Sequence, residues 1–363
     1  MTNPLHEAFV RKFPPPPTYA PDDRSLAARL VRLKKQVQGT EPFEFDGVMS
    51  HVYSPSPGQM FIDHCIVEHD GRLWNFHIVG DPEMLEKTDP RIRKLNYEFE
   101  GYAVGKSLFD LKYQGRIMDK PSGEWDCIAP CLCMSIVRFR DGFAAVYNAV
   151  GLEGVRLGVA FSRNLVDWER SAKNPVLAPP GWAMPYGNCK DCHILPFDGR
   201  YLIYYVVDSC DGHCAIALAS TKDFERFECQ DSPVFLFPAA LRGTSGVESP
   251  CVVQREGIYH LFFCCGPGTW HTISDNPFTF KGTNGLYMVG PFVAAEVFQW
   301  NDCWWLSSTK KEELRRLDRL KGISNHATVE DERRNLAGMF LAELRWEGDF
   351  PILEKPRRRG RAL

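Results

Sequence analysis

Several features are missing from this 363-residue sequence, and each absence closes off a class of function. No apolar run approaches the about 18 residues that a membrane-spanning helix requires. The opening stretch MTNPLHEAFVRKFPPPP lacks the basic-then-apolar pattern of a secretory leader. No Asn-x-Ser/Thr acceptor occurs, so the expected location is the cytoplasm. A net charge of −3 gives no electrostatic case for nucleic acid or an anionic membrane. The short basic end KPRRRGRAL (355–363) reads as a solvated terminus.

Helical periodicity is also scarce. One amphipathic stretch, DDRSLAARLVRLKKQVQG (22–39), has capping residues Asp22, Asp23 and Ser25 and an apolar stripe of Leu26, Leu30, Leu33 and Val37. The stripe is expected to pack across the outside of the main domain, with a homo-oligomer contact as its other use. A second charged helical segment, 310–336, reads as an insertion.

What is abundant is the β-hairpin. The segment beginning at Asp191 runs DCHILPFDGRYLIYY: a carboxylate, an apolar strand, an Asp-Gly turn and an aromatic strand. Similar units begin at Asp63 (IDHCIVEHDGRLWNFHI) and at Glu248 (VESPCVVQREGIYHLFF). A second signature follows each pair, a small-residue strand ending in Ser or Thr and then an aromatic: AVGKSLFDLKYQG, GVAFSRNLVDWER, ALASTKDFERFEC and HTISDNPFTFKG. Four-strand units repeating at roughly 50–60 residues indicate a β-propeller. Pairs starting near Asp63, Pro130, Asp191, Glu248 and Glu296 give five blades. The expected organisation is an arm and helix at 1–46, an all-β five-bladed propeller of four-stranded blades at 47–350, with the helical insertion in its last blade, and a basic tail at 351–363.

Thirteen cysteines are many, but several lie inside apolar strands and read as reduced core side chains. Cys189 and Cys192 form a C-x-x-C, with Cys210 and Cys214 at near zinc-ribbon spacing. A strand pair fills the gap and recurs without cysteines elsewhere, so no metal site is expected there.

Innermost strands of a propeller converge on its axis, so Asp63, Asp191 and Glu248 are expected to share a funnel at equivalent repeat positions. Converging carboxylates repel, and their proton affinities spread apart. A proton donor and a base then arise from one residue type, which is what glycosidic cleavage requires. Glu296, leading blade five, is a further carboxylate with an expected structural role.

The pattern resembles glycoside hydrolase family 43 and its relatives, families 32 and 68, over about residues 47–350. The firmest stretch is GVESPCVVQREGIYHLFF. The resemblance implies that Glu248 is the general acid and that Asp191 tunes and orients it. It also implies that Asp63 is the general base of a family 43 enzyme or the nucleophile of a family 32 enzyme. His64 and Cys192 stand where these families usually have Pro, and no C-terminal β-sandwich follows. The implied activity is hydrolysis of small furanosides, such as arabinofuranosides or fructofuranosides, or of xylosides. Inversion is expected, on the missing sandwich. A glycoside phosphorylase and a non-catalytic sugar-binding or interaction propeller stay open as alternatives.

The expected partner is therefore a small carbohydrate. Its contacts are assigned to His64, His193, Asp208, Trp270 and His271. No cofactor is expected. Family 43 proteins often hold calcium on the axis, and no residue of this sequence is assignable to it.

Overall fold

The computed structural model describes residues 48–55, 60–80, 98–210, 214–237, 246–265, 268–281, 286–290, 292–309 and 338–356. The expected N-terminal helix and the 310–336 insertion lie outside the described residues, and the homo-oligomer contact with them.

Four antiparallel sheets of four strands follow one another along the chain. The first holds β2 (Met60–His69), β3 (Arg72–Gly80), β4 (Glu98–Gly105) and β5 (Lys112–Arg116). The second holds β6 (Ala129–Phe139), β7 (Gly142–Gly151), β8 (Gly154–Ser162) and β9 (Trp168–Arg170). The third holds β10 (Cys189–Phe197), β11 (Arg200–Asp208), β12 (Cys214–Thr221) and β13 (Glu228–Cys229). The fourth holds β14 (Glu248–Arg255), β15 (Ile258–Cys265), β16 (Gly268–Ser274) and β17 (Tyr287–Gly290).

The fifth sheet closes the ring. It contains β18 (Glu296–Trp300), β19 (Cys303–Ser308) and β20 (Met339–Glu347). Two chain ends share the outer edge of β20. β1 (Ser50–Tyr53) pairs with Met339–Leu341, and β21 (Phe350–Glu354) pairs with Glu343–Glu347. The first and last described strands are thus stitched into one blade, which joins the propeller's start to its end. The propeller accordingly runs to Glu354, past the expected boundary at residue 350.

Local chemistry explains the repeat. Asp70-Gly71, Asp198-Gly199 and Glu256-Gly257 all have positive φ at both central residues, the type I′ turn that matches strand twist. In the first four blades a Ser or Thr at or just past the end of the third strand caps the turn that follows. Ser162 Oγ accepts from the Leu165 amide, and Thr221 Oγ1 from the Phe224 amide. Both turns drop a fully buried side chain, Leu165 and Phe224, into the core between blades. That core is apolar and aromatic: Tyr204, Phe235, Phe263 and Trp270 pack together between blades three and four.

Candidate active site

Four of the five innermost strands are kinked near their start by an extra residue. In β2, two residues from Ile62 to His64 face one step from Ile78 to His77 on β3. The same single insertion separates Leu132 from Ser135, Lys190 from His193 and Glu248 from Cys251. A left-handed residue marks every one of these bulges: Asp63 (φ 30°), Cys133 (52°), Asp191 (52°) and Ser249 (48°), with Ala294 (50°) just before β18. Such a kink re-aims a side chain that a regular strand would send elsewhere. Aspartate tolerates this backbone better than most residues, since its short side chain hydrogen-bonds locally.

Five kinks from five blades surround one axial cavity. It is lined by Asp63, His64, Cys65, Cys133, Asp191, His193, Ser249, Ala294 and Glu296, among others. Its volume is about 30 Å³. At roughly 10–15 Å³ per water, that is room for about two waters and for no sugar ring.

Asp63 and Asp191 are therefore structural equivalents, as expected from the sequence. Glu248 is not: Ser249 occupies the matching position, and Glu248 precedes the kink by one residue, where blade three has Lys190. The expectation of three matching positions is corrected accordingly. Glu248 is half-exposed, and its Oε1 lies 2.6 Å from Lys190 Nζ. Lys190 Nζ is also 3.4 Å from Asp191 Oδ2. One cation thus bridges the acid of blade four and the aspartate of blade three. Burial works against the charge on Lys190, but the two carboxylates outweigh it and hold the ammonium well above its usual range.

Ser249 ties the aspartates together. Its Oγ donates to Asp63 Oδ1 at 3.4 Å, and its backbone amide to Asp191 Oδ2 at the same distance. Asn148, on β7, brackets Asp191 from the other side. Its Nδ2 donates to Oδ1 at 3.4 Å, while its Oδ1 accepts the Asp191 amide at 3.0 Å. Beneath Asp63, Glu100 of β4 is buried, and burial pushes its carboxyl up to about 8, with the charge of Asp63 adding to the shift. The thiol of Cys133 is likewise held protonated by burial first and then by Asp63 and Asp191.

The predicted carbohydrate contacts divide. His64 and His193 line the cavity. His64 Nε2 is 2.6 Å from Ser307 Oγ, and burial lowers its pKa to about 3, so the ring is neutral. His193 Nε2 is 2.9 Å from the Val252 carbonyl, and burial lowers it to about 4. Asp208 is half-buried at the end of β11. Its Oδ2 accepts from the amide of Asn188 at 2.9 Å and from Asn188 Nδ2 at 3.1 Å, which pins the start of β10.

Trp270 and His271 are corrections. Both are fully buried within β16. Trp270 Nε1 donates to the Cys265 carbonyl at 2.8 Å, and its ring packs against Phe237. His271 shares a 3.0 Å hydrogen bond with His260 and stacks beside it. Neither ring offers a face to a sugar, because β16 begins at Gly268 and turns both inward. The four C-x-x-C and ribbon cysteines do not gather either. Cys192 points to the Val146 carbonyl, Cys210 to that of Trp182, and Cys214 to the Asp208 carboxylate. Glu296 does face the axis. Burial raises its carboxyl to about 8, against a hydrogen bond from Cys251.

Lys190, Asn148, Ser249 and Glu100 were not anticipated. Lys190 stands beside a predicted aspartate, and that adjacency was its signal. The others are brought to the axis by strand register alone.

The fold is one shared with solved glycoside hydrolases. A thermostable family-43 glycoside hydrolase superposes with a TM-score of 0.61 at 14% identity, covering 86% of this chain and 98% of that one. An exo-1,5-α-L-arabinanase from a bovine ruminal metagenomic library gives 0.57 at 14% identity, covering 86% and 100%. A Bombyx mori family 32 β-fructofuranosidase gives 0.62 at 15% identity, covering 92% of this chain and 70% of that one. At such identities the likeness is one of fold. No protein-family model matches the sequence. No curated protein matches it either. Among the described residues, no helix is long and apolar enough to cross a membrane.

Proposed function

We propose that this chain is a glycoside hydrolase acting on small furanosides or xylosides, with Asp63 as base, Glu248 as acid and Asp191 as the residue that positions the acid. The observation that carries this reading is the bridged trio at one mouth. Asp63 and Asp191 occupy twin kinks, joined through Ser249, and Lys190 links Asp191 to Glu248. Shared proton affinity among neighbouring carboxylates is what acid–base cleavage of a glycoside uses.

The cavity's size favours inversion. Room for about two waters beside Asp63 suits a base that activates water, and the sugar ring then sits above, at the level of Glu248. Lys190 has a defined part. While it pairs with Glu248 it favours the ionised form, so an aglycone that separates the two returns Glu248 to the protonated form that donates.

The test is a panel of nitrophenyl glycosides, with NMR of the first-formed anomer on any substrate cleaved. Turnover of a pentofuranoside, a fructofuranoside or a xyloside giving the inverted anomer supports the reading. Sugar binding without turnover across the panel overturns it in favour of a non-catalytic propeller. Turnover only with inorganic phosphate present makes the protein a phosphorylase.

A further inference from the structure

The resemblance to family 43 implies calcium on the axis, and the axial donors can be judged against that ion. Calcium is held by about 6–8 oxygen ligands. Two groups of side chains among the described residues bring donor atoms within 4.8 Å of one another: Asp63 with Cys133 and Asp191, and His193 with Cys251 and Glu296. Each contains a thiol, and the second has a single carboxylate. These residues do not fit calcium. The first group also shares both aspartates with the candidate active site; the second uses none of its three proposed catalytic carboxylates, although His193 and Glu296 line the same cavity.

We propose that His193, Cys251 and Glu296 form a site for one borderline-soft divalent cation of the zinc class. The three side chains come from β10, β14 and β18, so a bound ion would tie three blades together at the axis. Imidazole, thiolate and carboxylate are the nitrogen, sulfur and oxygen donors that zinc accepts in tetrahedral sites, with a fourth position left to a solvent molecule.

Two further contacts match what supports a metal ligand. The ring of His193 donates through Nε2–H to the Val252 carbonyl at 2.9 Å, which fixes the tautomer and leaves the lone pair on Nδ1. The Val297 amide donates to Cys251 Sγ at 3.3 Å, as backbone amides do to metal-bound sulfur. Charge closes as well: a dication facing one thiolate, one carboxylate and a neutral imidazole leaves no net charge in a half-dry axis. His193 and Glu296 line the axial cavity, whose mouth is the route by which an ion enters. The inference stands on this cluster alone and holds whether or not the protein cleaves glycosides.

The experiment is metal loading of the full chain after treatment with chelator and reductant. Cobalt(II) chloride is added and the absorption spectrum read, then zinc chloride is titrated against the cobalt signal. One equivalent of cobalt giving a thiolate-to-metal charge-transfer band and intense tetrahedral bands, displaced by zinc, is the expected result. Cys251→Ser should abolish the charge-transfer band. Glu296→Gln, nearly the same shape, should weaken binding by at least about tenfold with the circular dichroism unchanged. This second variant keeps the test decisive if Cys251→Ser does not fold. Absence of the band in the wild type, or its persistence in Cys251→Ser, overturns the proposal. Preferential binding of calcium over zinc does so too.

Discussion

Lys190 Nζ and Glu248 Oε1 lie 2.6 Å apart, at the same register position of neighbouring blades. Propeller symmetry makes them equivalents of opposite charge, each one residue before its blade's kink at Asp191 or Ser249. Replacing Lys190 by Met removes the cation that favours ionised Glu248. The acid then keeps its proton to higher pH, and the alkaline limb of the kcat/KM profile moves up by ~1 pH unit. An unmoved limb in this variant would show that another group sets it.

Glu248→Gln keeps the shape of the side chain and removes the proton it donates. Cleavage of substrates with poor leaving groups should fall by about 10²–10⁴-fold, the usual share of a general acid. Aryl glycosides with activated leaving groups should be largely spared, since they leave without protonation. Equal loss on both classes would argue against the acid role.

The blades were legible in the sequence because turn chemistry is local. Asp-Gly at 70–71 and 198–199, and the Ser or Thr that caps the outer turn in the first four blades, are fixed by their immediate neighbours. The axial kink was not legible. Asp63, Cys133, Asp191, Ser249 and Ala294 share a backbone conformation and no side-chain character, so nothing in the sequence aligned them. The hairpin pattern therefore sets Glu248 one residue out of register with Asp63 and Asp191. In the sequence, Gly266-Pro267-Gly268 before Trp270 reads as a loop that would present the indole to a ligand. Gly268 is instead a close-approach glycine, where a Cβ would lie 2.3 Å from the Gly290 carbonyl oxygen. The strand begins there and turns the indole into the core.

The corrected place of Trp270 has its own test. Trp270→Ala removes a fully buried indole and its bond to the Cys265 carbonyl. Such a truncation costs about 3–5 kcal/mol, read by urea denaturation. KM for any cleaved glycoside should stay within about twofold on the fraction that folds, because losing uniform binding is what raises KM. A raised KM at nearly unchanged stability would restore the indole as a sugar platform.

Five histidines and two glutamates give the ion-free fold an optimum pH. Burial lowers His64, His77 and His260 to about 3, His193 to about 4, and His271 well below its usual value. Their unfolded forms titrate near about 6.5. Below that pH the unfolded chain takes up protons that the native state refuses, so stability falls with falling pH. Glu100 and Glu296 act in the opposite sense. Raised by burial to about 8, they stay protonated in the native state while their unfolded forms ionise above about 4.3, so stability falls as pH rises from there to about 8. Each group contributes a slope on the order of 1 kcal/mol per pH unit. Between pH ~4.3 and ~6.5 the five histidines outweigh the two glutamates, and above ~6.5 the glutamates act against stability. Stability should therefore peak near pH ~6.5 and fall more steeply on the acid side. Urea midpoints measured from pH 4 to 9 check this, and Glu100→Gln should reduce the slope of the alkaline arm by about half and steepen the acid arm.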